Sequence, residues 1–315
     1  MLKPVEKDYD KVVAECRTMI AVGSKSFATA AKLFGKSDRD GAFLLYGWCR
    51  FCDDTIDNAS SESELRLTEK LDWLIEQTEQ AYGATPPEHP VFRALHYIVR
   101  QYAIPRHYPL ELLEGMAMDV RRQTYATFED LLLYCYRVAG TVGLMMSHVM
   151  QVSDERALKH ASDLGIAMQL TNISRDILDD AAMGRVYLPL DWIRQEGFSP
   201  DTVGELPNRE KLASLARRLI WRAETYYRSG DAGLKYLSLR PACAIAAARQ
   251  VYSEIGVKVV RKGARAWDER VWISPARKVV IMIRGMGRML QTLPGRFFRP
   301  WRATPIQLIW RHQNG

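Results

Sequence analysis

The chain has 315 residues, 47% apolar and 26% charged, with a formal net charge of +7. That balance excludes a disordered, collagen-like or disulfide-built protein, and the length suits one large domain or two small ones. The positive charge is uneven: from Gly256 onward thirteen Lys/Arg face only Asp268 and Glu269, so the remainder of the chain carries −4.

The first thirteen residues, "MLKPVEKDYDKVV", are charged and lack the apolar run of a secretory signal. The uncharged run Val138 to Ser153 is too short to span a membrane. Five cysteines, Cys16, Cys49, Cys52, Cys135 and Cys243, are an odd set. Cys49 and Cys52 form a C-x-x-C with no second pair or His-x-His to complete a zinc site, so they read as reduced thiols on one helix face. A cytoplasmic protein is expected, with membrane association left open.

Proline is missing between Val5 and Thr85, between Leu110 and Leu188, and between Asn208 and Arg240. Proline breaks helix interiors, so these gaps permit long helices. In chain order, "YGWCRFCDDTID" reads as a helix carrying an acidic end. "LRLTEKLDWLIEQTEQAY" places Leu67, Leu71, Leu74 and Ile75 on one face. "ATPPEHP" and "AIPRHYP" read as connections, "QLTNISRDILDD" as a further helix, and "GFSPDTVGELPN" as another connection. "LASLARRLIWRAETYY" follows, with Leu215, Leu219 and Ala223 toward a core. Strand signals and repeats are missing. The expectation is an all-α protein, with one helical domain over 1–273 and a basic helix or tail over 274–315.

Two stretches crowd carboxylates inside apolar sequence. Asp53 and Asp57 are four apart, with Asp54 beside them; Asn172, Asp176 and Asp180 recur at i, i+4 and i+8, with Asp179 flanking. Residues so spaced share a helix face. Crowded carboxylates raise one another's pKa unless a cation intervenes, and hard ions such as Mg²⁺ favour oxygen donors shared with water and phosphate. The alternative is a pair of solvated acidic helix ends, capped at Asn58 and Ser60, but Leu, Ile and Met at most neighbouring positions argue against it. Arg50, Arg175 and Arg185 lie beside the stripes, and guanidinium forks suit phosphate oxygens. Carboxylates, metal and arginine together make a site for a diphosphate leaving group.

Six motifs in order then resemble the squalene/phytoene synthase family of all-α isoprenoid synthases. They are "GSKSF" (Gly23–Phe27), "YGWCRFCDDTID" (Tyr46–Asp57), "YCYRVAGTVG" (Tyr134–Gly143), "QLTNISRDILDD" (Gln169–Asp180), "GRVYLPLDW" (Gly184–Trp192) and "WDERVW" (Trp267–Trp272). The resemblance runs from about Met19 to Arg277. "EGMAMDVR" and "QVYSEIGVKV" point to the bacterial phytoene-forming branch. It implies a helical bundle around an apolar cavity and a prenyltransferase that joins two geranylgeranyl diphosphates head to head, in carotenoid biosynthesis. A cyclopropyl diphosphate would be the intermediate, and no NADPH would be consumed.

By that resemblance Asp53, Asp57, Asn172, Asp176 and Asp180 hold Mg²⁺, with Mn²⁺ a substitute, and Tyr46 joins the four aspartates as catalytic. Ser24, Lys25, Ser26, Tyr46, Arg50, Gln169, Arg175, Arg185, Tyr252 and Arg270 contact substrate. Phe27, Tyr134, Val138, Ala139, Val142 and Gly143 line a tunnel for C20 tails. Gly140 and Gly143 either make room for the chains or allow close helix packing.

From Ser274 onward there are eight Lys/Arg and no acids, interleaved with Ile, Met, Phe and Trp, a composition suited to peripheral contact with an anionic membrane. No nucleic-acid motif accompanies it. Three alternatives stay open: a dehydrosqualene- or squalene-type synthase using C15 farnesyl diphosphate, a non-catalytic helical scaffold, and a nucleic-acid-binding helical protein. A terpene cyclase would show N-D-x-x-S-x-x-x-E, and an elongase a second D-D-x-x-D. Oligomeric state is not legible.

Overall fold

The computed structural model describes residues 12–16, 18, 34–57, 63–274, 276–277 and 280–281. Ser24, Lys25, Ser26, Phe27, Asn58, Ser60 and most of the basic tail lie outside the described residues. Within them the chain is all-α, with no strand.

Between residues 36 and 262 the described residues form ten α-helices in order. They are α1 (Lys36–Asp57), α2 (Glu64–Gln80), α3 (Pro90–Gln101), α4 (His107–Val120), α5 (Phe128–Cys135), α6 (Thr141–Val149), α7 (Glu155–Ala182), α8 (Leu190–Gln195), α9 (Arg209–Gly233) and α10 (Leu239–Lys262). A π-turn, Tyr136–Gly140, joins α5 to α6.

Local chemistry sets the starts. Ser63 and Asp154 accept backbone N–H bonds at the heads of α2 and α7, and Thr127 with Asp130 makes a reciprocal capping box at α5. Pro90 opens α3, where its missing N–H costs nothing. The stops are less conventional. Ala103, Arg122 and Gln151 adopt left-handed φ after α3, α4 and α6 (49°, 49° and 58°), where glycine is the usual choice.

The helices bury two large cores and two small ones. One large core gathers side chains of α1–α4 and α6, including Leu44, Trp48, Leu67, Leu71 and Leu74. The second gathers α5 and α7–α10, including Leu170, Trp192, Leu215, Leu219 and Ala223. Buried Ile281 joins the second core and Arg277 pairs with Glu254 at 2.9 Å, so the chain past Ser274 begins by docking on α10.

Helix α7 packs chiefly along α9 and against α6. The α6–α7 seam is in backbone contact: a Cβ on Gly143 would lie 2.3 Å from the Ala161 carbonyl oxygen, and one on Gly165 2.2 Å from that of Ala139. A Cβ on Gly140 would meet the Ser162 hydroxyl at 2.7 Å. Close packing is therefore the reason for Gly140 and Gly143. Gly143 also forms part of the cavity wall, as a consequence of how near the backbones come.

Candidate active site

Helix α1 delivers Tyr46, Arg50, Asp53 and Asp57 on successive turns. Helix α7 delivers Gln169, Asn172, Asp176 and Asp180. The stripe on α7 is not straight. Asp176 sits at φ −106°, ψ 15°, a break inside the helix, in a region of backbone space that active-site residues often occupy. Neighbours on a regular helix point about 100° apart. The break instead lets Arg175 clamp the carboxylate of Asp176 beside it, while Arg270 reaches the same carboxylate at 3.2 Å.

The two acidic stretches meet around a third helix. Asp119 of α4 feels the field of Asp57, and itself acts on Asp53 and Asp180. Burial first, then Asp57, pushes Asp53 up to about 6. Burial pushes Asp119 up to about 6 against the pull of Arg185. Asp180 rises furthest, to about 8, through burial and the charges of Asp176 and Asp119. These groups share a partly dry space and repel one another, which a bound cation would relieve.

Each predicted arginine pairs with a carboxylate of this ring. Arg50 bonds Asp54 at 2.5 Å and Asp53 at 3.4 Å, Arg175 and Arg270 hold Asp176, and Arg185 bonds Asp57 at 2.8 Å. Asp119, Tyr187 and Asp57 keep Arg185 firmly charged despite its burial.

Tyr134 corrects an expectation: it does not line the cavity. It lies buried under the carboxylates, and its hydroxyl donates to Asp119 at 2.8 Å. Tyr187 donates to the other Asp119 oxygen at 2.7 Å, with the two rings stacked 4.8 Å apart. Asp119 and Tyr187 stand inside motifs quoted above, yet neither was named as a site residue. The only signal was a single aspartate in the apolar run "GMAMDV", without the four-residue carboxylate spacing that singles out the other two stretches.

Beside the ring opens a cavity of about 360 Å³. Tyr46, Gln169, Asn172 and Tyr252 line its carboxylate end, and Val138, Ala139, Val142 and Gly143 its flank. Met146, Leu164, Met168, Phe34 and Leu237 complete an almost wholly apolar wall. Tyr252 feels both Arg175 and Asp176, which fixes it near the ring.

The donor set fits a cation of one kind. Among the described residues no three His, Cys, Asp or Glu side chains converge as a closed metal cage. Spread carboxylates, with burial raising the pKa of Asp53 and Asp180 among them, suit a hard ion that keeps water and takes phosphate oxygens. Cys49 and Cys52 are free thiols on α1, and burial pushes that of Cys49 up to about 12.

A family model described as squalene/phytoene synthase matches residues 20–277. The chain belongs to the squalene/phytoene synthase family. It is 45% identical over 277 residues to the 15-cis-phytoene synthase of Pantoea ananas, covering 86% of this chain and 90% of that protein. It is 46% identical over 278 residues to the phytoene synthase of Pseudescherichia vulneris, with the same coverages. The crystal structure of a dehydrosqualene synthase with ligand superposes at a TM-score of 0.82 with 28% identity, over 90% of this chain and 99% of that one. A squalene synthase from Alicyclobacillus acidocaldarius shares the fold at a TM-score of 0.73 and 24% identity, over 81% of this chain and 95% of that one. The family's helical fold is thus the fold here, and no helix among the described residues is long and apolar enough to cross a membrane.

Proposed function

We propose that this synthase condenses two geranylgeranyl diphosphates head to head into phytoene, for carotenoid biosynthesis. The observation that carries the reading is a ring of five carboxylates and four arginines, Asp53, Asp57, Asp119, Asp176 and Asp180 with Arg50, Arg175, Arg185 and Arg270, beside an apolar cavity that Tyr46, Gln169, Asn172 and Tyr252 line next to it. The names of the phytoene synthases it resembles support the choice of C20 substrate.

Asp53, Asp57, Asn172, Asp176 and Asp180 would hold Mg²⁺, and Asp119 braces the set from below. When bound, Mg²⁺ supplies positive charge that stabilises the departing diphosphate. Arg50, Arg175, Arg185 and Arg270 exchange part of their carboxylate contacts for phosphate oxygens. Loss of the first diphosphate leaves an allylic cation beside Tyr46 and Tyr252, whose ring faces stabilise positive charge. The second tail's double bond attacks it, and a proton leaves as the cyclopropyl diphosphate forms. The second diphosphate then departs, and rearrangement with loss of a second proton gives a C40 hydrocarbon with a conjugated triene at its centre. No external reductant is consumed.

Water would trap the cation as an alcohol, and the apolar wall of Val138, Val142, Met146, Leu164 and Met168 excludes it. Membrane contact through the basic C-terminus fits a hydrocarbon product; most of that segment lies outside the described residues. The test is diphosphate release from geranylgeranyl diphosphate, with and without a chelator. Mg²⁺-dependent release supports the reading, and no release at saturating Mg²⁺ contradicts it.

A further inference from the structure

The far end of the cavity carries an imidazole that the chemistry above does not use. Among the cavity-lining residues, Tyr46, Gln169, Asn172 and Tyr252 place their polar groups at the carboxylate end, whereas His160 stands at the other. His160 is twelve residues before Asn172 on the unbroken part of α7. At 1.5 Å per residue the two are about 18 Å apart along the helix.

The ring is fixed. Its Nδ1 lies 2.8 Å from the Ser229 hydroxyl of α9, and Ser229 gives its only hydrogen to Asp163 at 2.5 Å. Nδ1 therefore carries the proton and donates it to Ser229. Lys159 holds Asp163 at 2.7 Å, and the imidazole stacks on Tyr236 with centroids 6.1 Å apart. Burial lowers the pKa of His160, which favours the neutral ring. Behind it, α9 has no room to yield: a Cβ on Gly233 would lie 2.6 Å from the His160 Cβ, and one on Gly230 would meet Leu164 at 3.0 Å.

An extended prenyl tail adds four backbone carbons per isoprene unit, roughly 5 Å at ordinary carbon–carbon bond lengths. Three units reach about 15 Å and four about 20 Å on that scale. A tail anchored at the Asn172 turn thus ends short of His160 if it is C15 and meets it if it is C20.

We propose that His160, held by Ser229 and Asp163, is the chain-length gauge of this cavity: the fourth isoprene unit packs against its ring, and that contact selects C20 over C15 diphosphates. The inference rests on the C20 reading above.

The experiment uses the full chain with Mg²⁺ and equimolar C15 and C20 diphosphates, reading the C30-to-C40 product ratio by mass, with a separate incubation in a C25 diphosphate. His160→Trp is expected to shift the ratio toward C30 at least tenfold. His160→Ala is expected to keep C40 formation and to accept the C25 substrate, which wild type is expected to refuse. Ser229→Ala, which frees the ring, is expected to fall between wild type and His160→Ala.

If wild type makes C40 but its ratio persists in His160→Ala and Ser229→Ala, with C25 still refused, the gauge is overturned while the C20 reading stands. Should the tryptophan variant fail to fold, the alanine pair decides the matter. A wild type that turns over only the C15 substrate sinks the C20 reading and the gauge with it.

Discussion

Arg185 and Asp57, far apart in sequence, form a 2.8 Å ion pair that ties the segment after α7 to the end of α1. The arginine side chain is 11% exposed and the aspartate 41%, so one charge is nearly dry and the other half-solvated. Since Arg185 also acts on Asp119 and Asp180, a single guanidinium offsets charge on all three helices that build the ring.

Replacing it therefore leaves three carboxylates short of a cation. Arg185→Ala is expected to lower kcat roughly a hundredfold, as when one charge-stabilising donor is removed from an active site. Half-exposure of Asp57 limits the stability loss to about 1–2 kcal/mol, below that of a fully buried pair. Steady-state kinetics and thermal melting check both figures. Arg185→Lys keeps the charge but not the fork, and is expected to recover stability better than rate.

Asp53→Asn and Asp176→Asn each remove a ring carboxylate without changing shape. Both are expected to cut diphosphate release by about a thousandfold, the several kcal/mol that metal-assisted charge stabilisation supplies. Circular dichroism should stay at the wild-type level. Near-normal turnover of both variants under limiting Mg²⁺ would remove the metal assignment.

Tyr134→Phe and Tyr187→Phe each delete a hydrogen bond to Asp119, worth about 1.5–3 kcal/mol when the acceptor is charged. The loss falls on the ionised form, so the Asp119 pKa rises further and more Mg²⁺ is needed at a given pH. Measuring Mg²⁺ dependence in the single and double variants tests this. Non-additive effects are expected, because both hydroxyls act on one carboxylate.

Acidity carries its own signature. Folded Asp53, Asp119 and Asp180 keep their protons above the ordinary carboxyl pKa, with values near 6, 6 and 8. Between about pH 4 and 8 the folded chain thus binds more protons than the unfolded one, and these groups make stability fall as pH rises. Mg²⁺ with inorganic diphosphate should reverse that trend, raising Tm more at pH 8 than at pH 5.5. An equal rise at both values would contradict the ring's raised pKa values.

Gly143→Ala places a methyl group 2.3 Å from the Ala161 carbonyl oxygen, and backbone cannot step aside as a side chain does. The expected loss is about 1–3 kcal/mol, with some activity lost as the cavity wall shifts. Denaturant titration reads the first, and C40 output per folded molecule the second.

Much of the fold is legible because it rests on local pattern. Leu67, Leu71 and Leu74 recur at helical spacing and are buried, as are Leu215, Leu219 and Ala223. The proline-free stretch from Leu110 to Leu188 permits long helices yet conceals where α4, α5, α6 and α7 begin and end. Two of its breaks fall at Arg122 and Gln151, which carry no glycine or proline signal. Among the candidate site residues, the acidic stripes announce themselves because like charges four apart in apolar sequence are unusual. The break at Asp176 does not, because one of its holding partners, Arg270, comes from a segment beyond α10. Asp119 stands alone in sequence, and its meaning comes from Tyr134, Tyr187 and Arg185, supplied by other segments.

The most direct measurement is the mass of the organic extract after purified protein, Mg²⁺ and geranylgeranyl diphosphate are incubated without NADPH. The expected result is a C40 hydrocarbon with the absorption of phytoene, accompanied by two diphosphates per product. A C30 hydrocarbon from farnesyl diphosphate, with none from the C20 substrate, would contradict the substrate assignment, and no hydrocarbon from either would contradict the catalytic reading altogether.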